Sequence, residues 1–240
     1  MTGSEVSPAD EQPIRITADM LEPEPPPETR IDFEKGMTYA PAATLLLIVA
    51  IGATFMWQIS VGALKDQASI IAAGALVREQ VMQGEAWRLL SATLLHGNFE
   101  HLVGNAVSLY ILGMATEHAY GTRSMLVVYL ASGIAGSLLS VATGPGPSVG
   151  ASGAIFGLMG AVLVLFWKHH GELLVRDKRI GVVVAAWAIF TIIQGLVTPM
   201  VDNAGHVGGL LGGMMTAWAM RPRILERKVV YMARPRYRLR

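Results

Sequence analysis

Two residues in apolar surroundings have side chains suited to a nucleophile and its general base. The first is Ser152 in Gly150-Ala151-Ser152-Gly153, which opens an apolar stretch after a segment rich in glycine and proline. A serine at a helix start lies beside unpaired backbone N–H groups and the positive end of the helix dipole, which favours an oxyanion there. The alternative is a helix-capping serine flanked by glycines that serve packing.

His206 begins another apolar stretch, within Asp202-Asn203-Ala204-Gly205-His206. An ionisable residue in a membrane helix is a candidate for function, and a neutral imidazole can accept a proton from a serine hydroxyl. The alternative is a histidine hydrogen-bonded to a neighbouring helix. Asp202 invites a triad, but an aspartate directly before a helix is more often its cap, so we predict a cap.

Small residues at a spacing of four predict that the helices bearing Ser152 and His206 pack together. The two stripes are Gly153, Gly157 and Ala161 on the first helix and Gly205, Gly209 and Gly213 on the second. Small residues let helix backbones approach closely in lipid. A Ser–His hydrogen bond needs such an approach, to about 2.6–3.2 Å. Helix packing without chemistry is the alternative.

A third group of polar residues lies earlier in the chain. His101 and Asn105 are four residues apart, so they share a helix face, and both can donate hydrogen bonds to a developing oxyanion. The order of His96, Glu100 and His101 does not match the metal motif H-E-x-x-H, and no third ligand is in view, so we expect no metal site. The chain has no cysteines, which excludes disulfides and cysteine nucleophiles.

Composition predicts a membrane protein that crosses the bilayer several times. Of the 240 residues, 52% are hydrophobic and 15% are charged, whereas a soluble domain is about a quarter charged. Six apolar stretches, each near the ~20 residues that cross a bilayer as a helix, cover 41–64, 102–118, 124–142, 150–168, 180–199 and 203–220. We therefore predict an all-α bundle of six transmembrane helices.

The flanking segments differ in charge. Residues 1–36 are acidic and proline-rich, which predicts a disordered tail. Residues 222–240 are basic, as in some nucleic-acid-binding tails, but directly after an apolar helix they are more typical of a cytoplasmic tail beside a membrane. The positions of Lys and Arg between the apolar stretches put both termini in the cytoplasm. Between the two predicted tails, residues 37–221 form the predicted membrane domain.

The first loop, 65–101, is unusually apolar for a long loop, and it contains Trp87 and Arg88. We expect a structured element that lies partly in the membrane interface. The alternative is a seventh membrane segment around 69–77, but this run is too short to span.

Together, these motifs resemble the rhomboid family of intramembrane proteases in their order and membrane positions. The resemblance covers about residues 41–220 and includes His101-x-x-x-Asn105, Gly150-x-Ser152-Gly153, His206, Trp87-Arg88, Glu117, Gly121 and Arg123. It implies a Ser152–His206 dyad without an acidic third member. It also implies an oxyanion hole made by His101, Asn105 and the Ser152 backbone N–H.

The resemblance further implies a gate for substrate, made by the fifth helix and the cap around Pro199–Asn203. The family often has tyrosine where Phe156 stands, packed on the catalytic histidine. Phe156 can still stack on His206, although it lacks the hydroxyl.

For function, the resemblance implies a serine endopeptidase in a lipid bilayer, in particular the inner membrane of a bacterium. Its substrates would be single-pass or multi-pass membrane proteins, cut near the extracytoplasmic face, with no cofactor and no nucleic acid. Two other classes stay open. A rhomboid-like protein that binds helices without cutting usually lacks the serine or the histidine. A small transporter suits glycine-broken helices with buried histidine, but no two-fold repeat is evident.

Overall fold

The computed structural model describes residues 29–144, 146–174, 176–198, 201–226 and 229–230. The elements in chain order are β1 (Thr29–Arg30), α1 (Ala42–Ser60), α2 (Gln67–Ala72), α3 (Arg78–Met82), α4 (Arg88–Ser91), α5 (Phe99–Tyr120), α6 (Thr122–Thr143), α7 (Ser152–Lys168), α8 (Lys178–Val197), α9 (Asn203–Trp218), a 3-10 helix (Arg223–Glu226) and β2 (Val229–Val230). Residues Thr29–Val229 form one compact unit. Each of the six predicted apolar stretches is a helix: α1 and α5 to α9.

Not all of these helices have the length and composition of a membrane span. Among the described residues, three helices are long and apolar enough to cross a bilayer: α1, α6 and α8. α7 is apolar but has 17 residues, and α9 has 16. α5 has 22 residues but carries Glu100 and Glu117. The six helices are therefore confirmed as helices, and six membrane spans remain a prediction.

α7 is the buried centre of the bundle. Every residue from 154 to 162 is buried, which is the pattern of a helix surrounded by others rather than of a surface helix. It packs against α5, α6, α8 and α9. α8 is the opposite case, because its buried residues are only Gly181, Val184 and Ala188. Ile180, Trp187 and Ile192 are partly buried against the core, whereas most of the other large apolar side chains of α8 are exposed.

The first loop contains three short helices, α2, α3 and α4, and the Arg88 side chain of α4 bonds to residues from two other parts of the loop. This side chain is buried, and its guanidinium donates to the carbonyl oxygens of Ile71 and Ala75 at 2.7 and 2.8 Å. It also forms an ion pair with Glu85 at 2.6 Å. A buried guanidinium requires such partners, and these bonds connect α4 to α2 and to the turn after α3.

The predicted N-terminal tail, 1–36, extends too far into the chain. Ile31 and Phe33 are 1% and 2% exposed. The Ile31 backbone N–H donates to the Glu172 carbonyl oxygen at 2.7 Å, and the Phe33 N–H donates to the Asp177 carboxylate at 2.8 Å. The prediction went wrong because two apolar residues follow a long acidic and proline-rich run. Residues 1–28 lie outside the described residues.

The predicted C-terminal tail, 222–240, begins too early. Ile224 lies in the 3-10 helix and is 1% exposed. Residues 227, 228 and 231–240 lie outside the described residues. The folded part of the chain is thus longer at both ends than the predicted domain, 37–221.

Candidate active site

Ser152 is the first residue of α7, and the segment before it is bound to the first loop. Leu76 and Ser148 exchange both backbone hydrogen bonds at 2.9 Å, and the Gly150 N–H donates to the Ala92 carbonyl oxygen at 2.9 Å. Gly150 has a φ of +128°, which residues with a Cβ rarely adopt. This glycine allows the chain to turn into α7 and to bring Ser152 to the wall of a cavity.

His206 lies in the first turn of α9, and its ring meets Ser152. Its Nε2 is 2.9 Å from the Ser152 Oγ, which is a hydrogen-bond distance. In the tautomer that carries its proton on Nδ1, Nε2 accepts the hydroxyl proton. The two residues are 54 positions apart in the chain. A hydroxyl paired in this way with an imidazole has the arrangement of a nucleophile and its general base.

Direct backbone packing of α7 on α9 brings this pair together. A Cβ on Gly209 would overlap the carbonyl oxygen of Gly153, and a Cβ on Gly213 would overlap that of Gly157. Side chains at these positions would push the helices apart. The two predicted stripes are therefore in contact with each other.

The ring of Phe156 is stacked on the imidazole of His206. Their centroids are 4.4 Å apart and their planes are 13° from parallel. Phe156 is one turn after Ser152 on α7 and is 4% exposed. The stacked ring covers one face of the imidazole and limits its rotation.

His101 and Asn105 converge on the backbone just before Ser152. A Cβ on Gly150 would lie 2.8 Å from Nε2 of His101 and 3.4 Å from Nδ2 of Asn105. Asn105 is 7% exposed, and its Nδ2 has no hydrogen-bond partner within the described parts of the chain. A buried amide donor normally has a partner. This one is suited to an oxygen that arrives with a ligand.

Asp202 is the cap of α9, as predicted. Its Oδ1 accepts from the Gly205 N–H at 2.7 Å, and its Oδ2 accepts from the Ser140 hydroxyl at 2.5 Å. The Nδ1 of His206 is buried and finds no hydrogen-bond partner among the described residues. The carboxylate thus serves the helix terminus and α6, and it does not orient the imidazole by a direct hydrogen bond.

A cavity of about 980 Å³ joins these side chains. α5, α7 and α9 contribute His101, Asn105, Ser152, Phe156 and His206 to its wall, and α8 contributes Trp187, Thr191 and Gln194. Because the other faces of α8 are exposed, this single helix separates part of the cavity from the surface. Of the predicted cap Pro199–Asn203, residues 199 and 200 lie outside the described residues.

His96 and His101 are the residues that most resemble a metal-binding pair. Their ring centroids are 5.2 Å apart in an edge-on contact. Within the described ranges, no group of three or more His, Cys, Asp or Glu side chains is placed to hold a metal ion.

Three residues near the site were missed in the sequence. A Cβ on Gly136 of α6 would lie 2.6 Å from the Gly205 carbonyl oxygen, so α6 also approaches α9 closely. Ser140 lies four residues later and reaches the α9 cap. Gln58 of α1 contacts the backbone of His96. Two features of the sequence could have indicated these residues. Gly136 and Ser140 have the spacing of four that places small residues on one helix face, and Gln58 is an amide within an apolar helix.

The sequence of this chain matches a known protein family. The family model described as "Rhomboid domain" matches residues 83–223, which is more than half of the chain and includes His101, Asn105, Ser152, Phe156 and His206. The chain belongs to the rhomboid family.

Several known rhomboid proteins are similar to this chain in sequence. "Rhomboid protease GluP" of Bacillus subtilis (strain 168) is 38% identical over 166 residues, which cover 69% of this chain and 32% of that protein. "RHOMBOID-like protein 5" of Arabidopsis thaliana is 38% identical over 153 residues, covering 61% and 48%. "Rhomboid protease AarA" of Providencia stuartii is 30% identical over 207 residues, covering 74% and 72%.

The chain thus spans less than half of the length of the first two relatives and nearly three quarters of the third. Rhomboid membership, together with apolar helices long enough to cross a bilayer, makes this chain an integral membrane protein.

Proposed function

We propose that this rhomboid is a serine-type endopeptidase that cuts single-pass or multi-pass membrane proteins within the lipid bilayer. Ser152 is the nucleophile and His206 is its base. The observation that carries this proposal is the 2.9 Å separation of Ser152 Oγ and His206 Nε2 on two neighbouring helices. The names of GluP and AarA as rhomboid proteases support the same activity.

The reaction begins with proton transfer. His206 Nε2 takes the hydroxyl proton as Ser152 Oγ forms a bond to the carbonyl carbon of the substrate. The resulting tetrahedral intermediate collapses, the C–N bond breaks, and the protonated His206 gives its proton to the leaving amine. A water molecule, deprotonated by His206, then attacks the carbonyl carbon of the acyl-enzyme. The ester bond to Ser152 Oγ breaks, His206 returns the proton to Oγ, and the second product leaves as a carboxylic acid.

The oxyanion of each intermediate is stabilised by three donors: the Ser152 backbone N–H and the side chains of His101 and Asn105. Support comes from the buried Nδ2 of Asn105, which has no partner among the described residues, and from the positions of both side chains, which lie where they would meet a Cβ on Gly150. The N-terminus of α7 adds the positive end of its dipole. Donors fixed in advance stabilise charge that develops during the reaction.

Phe156 keeps the imidazole of His206 in the plane that Ser152 needs. Two features support this role: the stacking of the rings at 4.4 Å and the lack of a hydrogen bond from His206 Nδ1 to any described residue. In a dyad without an acidic third member, packing replaces the hydrogen bond that orients the base in a triad.

Substrate enters from the side, past α8 and the cap that ends at Asn203. The thin wall that α8 forms beside the cavity supports this route. A Cβ on Gly195 would overlap Asn203 Oδ1, so Gly195→Ala should displace the Asn203 side chain and weaken its hydrogen bond to the Ile192 carbonyl oxygen, which joins the start of α9 to α8. Cleavage of a transmembrane substrate should then change relative to cleavage of a soluble peptide. The control is Gly52→Ala on α1, where the added methyl group lies in open space and the ratio of the two cleavage rates should not change. The same unchanged ratio in Gly195→Ala would argue against this route.

For topology, we propose six membrane spans in a bacterial inner membrane, with both termini in the cytoplasm and cleavage near the extracytoplasmic face. The distribution of Lys and Arg supports this orientation. Reporter domains test this orientation, because each type is active on only one side of the membrane. One reporter is fused after residue 240 and another is inserted at residue 84 of the first loop. If both positions report the same side of the membrane, the proposed orientation is wrong.

The activity is tested with purified wild type and Ser152→Ala in detergent, each incubated with a substrate that has one transmembrane helix. The matched control is Ser108→Ala, the same chemical change at another serine of the cavity. We expect a smaller fragment with wild type and Ser108→Ala but not with Ser152→Ala. Cleavage by all three would mean another nucleophile. Cleavage by none, with folded proteins and several substrates, would favour helix binding without proteolysis.

A further inference from the structure

His96 is a fully buried histidine to which the proposed reaction gives no part. It lies between α4 and α5 and is 0% exposed. Its Nδ1 is 3.2 Å from the Leu94 carbonyl oxygen and donates to it in the Nδ1-protonated tautomer. Its ring meets the His101 ring edge-on, with centroids 5.2 Å apart and planes at 64°. His96 therefore contacts, from inside the protein, a side chain proposed for the oxyanion hole.

One buried amide attaches His96 to α1. Gln58 is 0% exposed, its Nε2 donates to the His96 carbonyl oxygen at 3.0 Å, and its Oε1 accepts from the His96 backbone N–H at 3.0 Å. Both polar ends of the side chain are thus bonded to a single residue. Burial of an amide is tolerated when its groups are hydrogen-bonded. The backbone of His96 is consequently fixed to α1 at two points.

The His101 ring packs between a residue that precedes it in the chain and one that follows it. Its backbone N–H donates to Asn98 Oδ1 at 2.7 Å, within the cap of α5. Its ring contacts His96 and also reaches Gly150, where a Cβ would lie 2.6 Å from Cε1. An edge-on contact between two aromatic rings is favourable beyond the area that it buries. The contact with His96 therefore favours one side-chain rotamer of His101 over its competitors.

We propose that Gln58 and His96 are positioning residues that hold the His101 imidazole against the backbone of Gly150, where it can donate to the oxyanion. This role rests on the proposed protease function. The contacts run from Gln58 to His96, then to His101, and end beside Ser152. α1 therefore takes part in the reaction through packing, by fixing the loop that fixes a donor.

The test is a double-mutant cycle on cleavage of a transmembrane substrate. His96→Ala and Gln58→Met should each lower kcat by about 10- to 100-fold with little change in KM, because a misplaced catalytic group can cost that much. In a His101→Ala background, the same substitutions should change kcat by less than about twofold, because the side chain that they position is gone. Equal losses in both backgrounds would overturn the proposal.

Controls separate positioning from general stability. His170→Ala removes an exposed ring whose Nδ1 also contacts a backbone carbonyl oxygen, that of Trp167 at 2.9 Å, and it should leave kcat unchanged. Gln83→Met is the matched change at an exposed glutamine. His96→Phe keeps a ring beside His101 and should recover most of kcat even where His96→Ala does not fold. A folded His96→Phe with a kcat as low as that of His101→Ala would count against the proposal.

The two levels of inference fail differently. If the wild type shows no cleavage that depends on Ser152, the proposed protease function itself is wrong. If cleavage depends on Ser152 but the losses at His96 and His101 add, only the positioning role is wrong.

Discussion

The hydroxyl of Ser140 donates to the carboxylate of Asp202 at 2.5 Å, and this bond joins α6 to the residue that precedes α9. The second oxygen of the carboxylate caps α9 through the Gly205 N–H at 2.7 Å. One side chain thus fixes the helix of His206 both at its end and against a neighbour. Asp202 acts on the base through the backbone.

Substitutions of Asp202 distinguish this role from that of a third catalytic residue. Asp202→Asn should keep at least about a third of the wild-type kcat, because asparagine caps helices as well as aspartate does. Asp202→Ala should lower the free energy of unfolding by about 1–2 kcal/mol through the lost cap. Cleavage rates and denaturant unfolding of both variants measure this. Near-complete loss of activity in a stable Asp202→Asn protein would make Asp202 a member of a triad.

Asn105→Ala removes one proposed oxyanion donor. We expect kcat to fall by about 10²- to 10³-fold, the usual cost of losing such a donor, with KM little changed. Ser108→Ala, on the same helix and in the same cavity, should stay within about threefold of wild type because it removes no donor proposed for the oxyanion. Steady-state kinetics on one substrate compare them. Wild-type kcat in Asn105→Ala would remove Asn105 from the oxyanion hole.

The stacking of Phe156 on His206 predicts a graded series. Phe156→Tyr keeps the ring and should retain activity within about threefold, whereas Phe156→Leu should lose about tenfold in kcat, since ring stacking contributes about 0.5–1.5 kcal/mol. The measurement is kcat at saturating substrate for proteins of matched stability. Equal rates for the leucine and tyrosine variants would show that packing volume, and not the stacked ring, matters here.

The sequence was informative where residue type and spacing encode a contact. The stripes of Gly153 and Gly209 predicted that two helices touch, and the structure has their backbones in contact. The position of Asp202 before an apolar stretch predicted a cap, which is also present. Each of these predictions concerned local spacing or a property of one helix.

Contacts between distant segments without a repeated pattern were missed. Nothing in the sequence relates Gln58 to the backbone of His96, because a side chain that bonds to a main chain leaves no mark on its partner. The burial of Ile31 and Phe33 was missed for a related reason. The composition of the surrounding segment is acidic and proline-rich, and the contacts that bury these two residues are made with the distant residues 172–177.

The close packing of α7 on α9 predicts that Gly209 cannot be replaced. Gly209→Ala introduces a Cβ that overlaps the Gly153 carbonyl oxygen, so the helices must separate and the bond between Ser152 and His206 must lengthen. We expect loss of about 1–3 kcal/mol of stability, as for other overpacked sites, and loss of most activity. Gly52→Ala, where the new methyl group meets nothing within 4 Å, is the control. Equal behaviour of the two variants would contradict this account.

Acid should destabilise the protein through His96, which lies in the loop between α4 and α5. Burial, and in second place the positive charge of a protonated His101, lower the pKa of His96 from 6.5 to about 4. The unfolded chain therefore binds a proton at this residue at a higher pH than the folded chain does. The stability that neutral His96 contributes is fully present above pH 6.5 and is lost as the pH falls through 4.

His96→Gln removes this titration, so its stability relative to wild type should rise by up to about 3 kcal/mol between pH 7 and pH 4. Unfolding in mixed micelles across this range measures the difference, and exposed His170→Gln serves as the control. A constant difference between His96→Gln and wild type at all pH values would mean that His96 takes up its proton equally in both states, which would place its ring in contact with water.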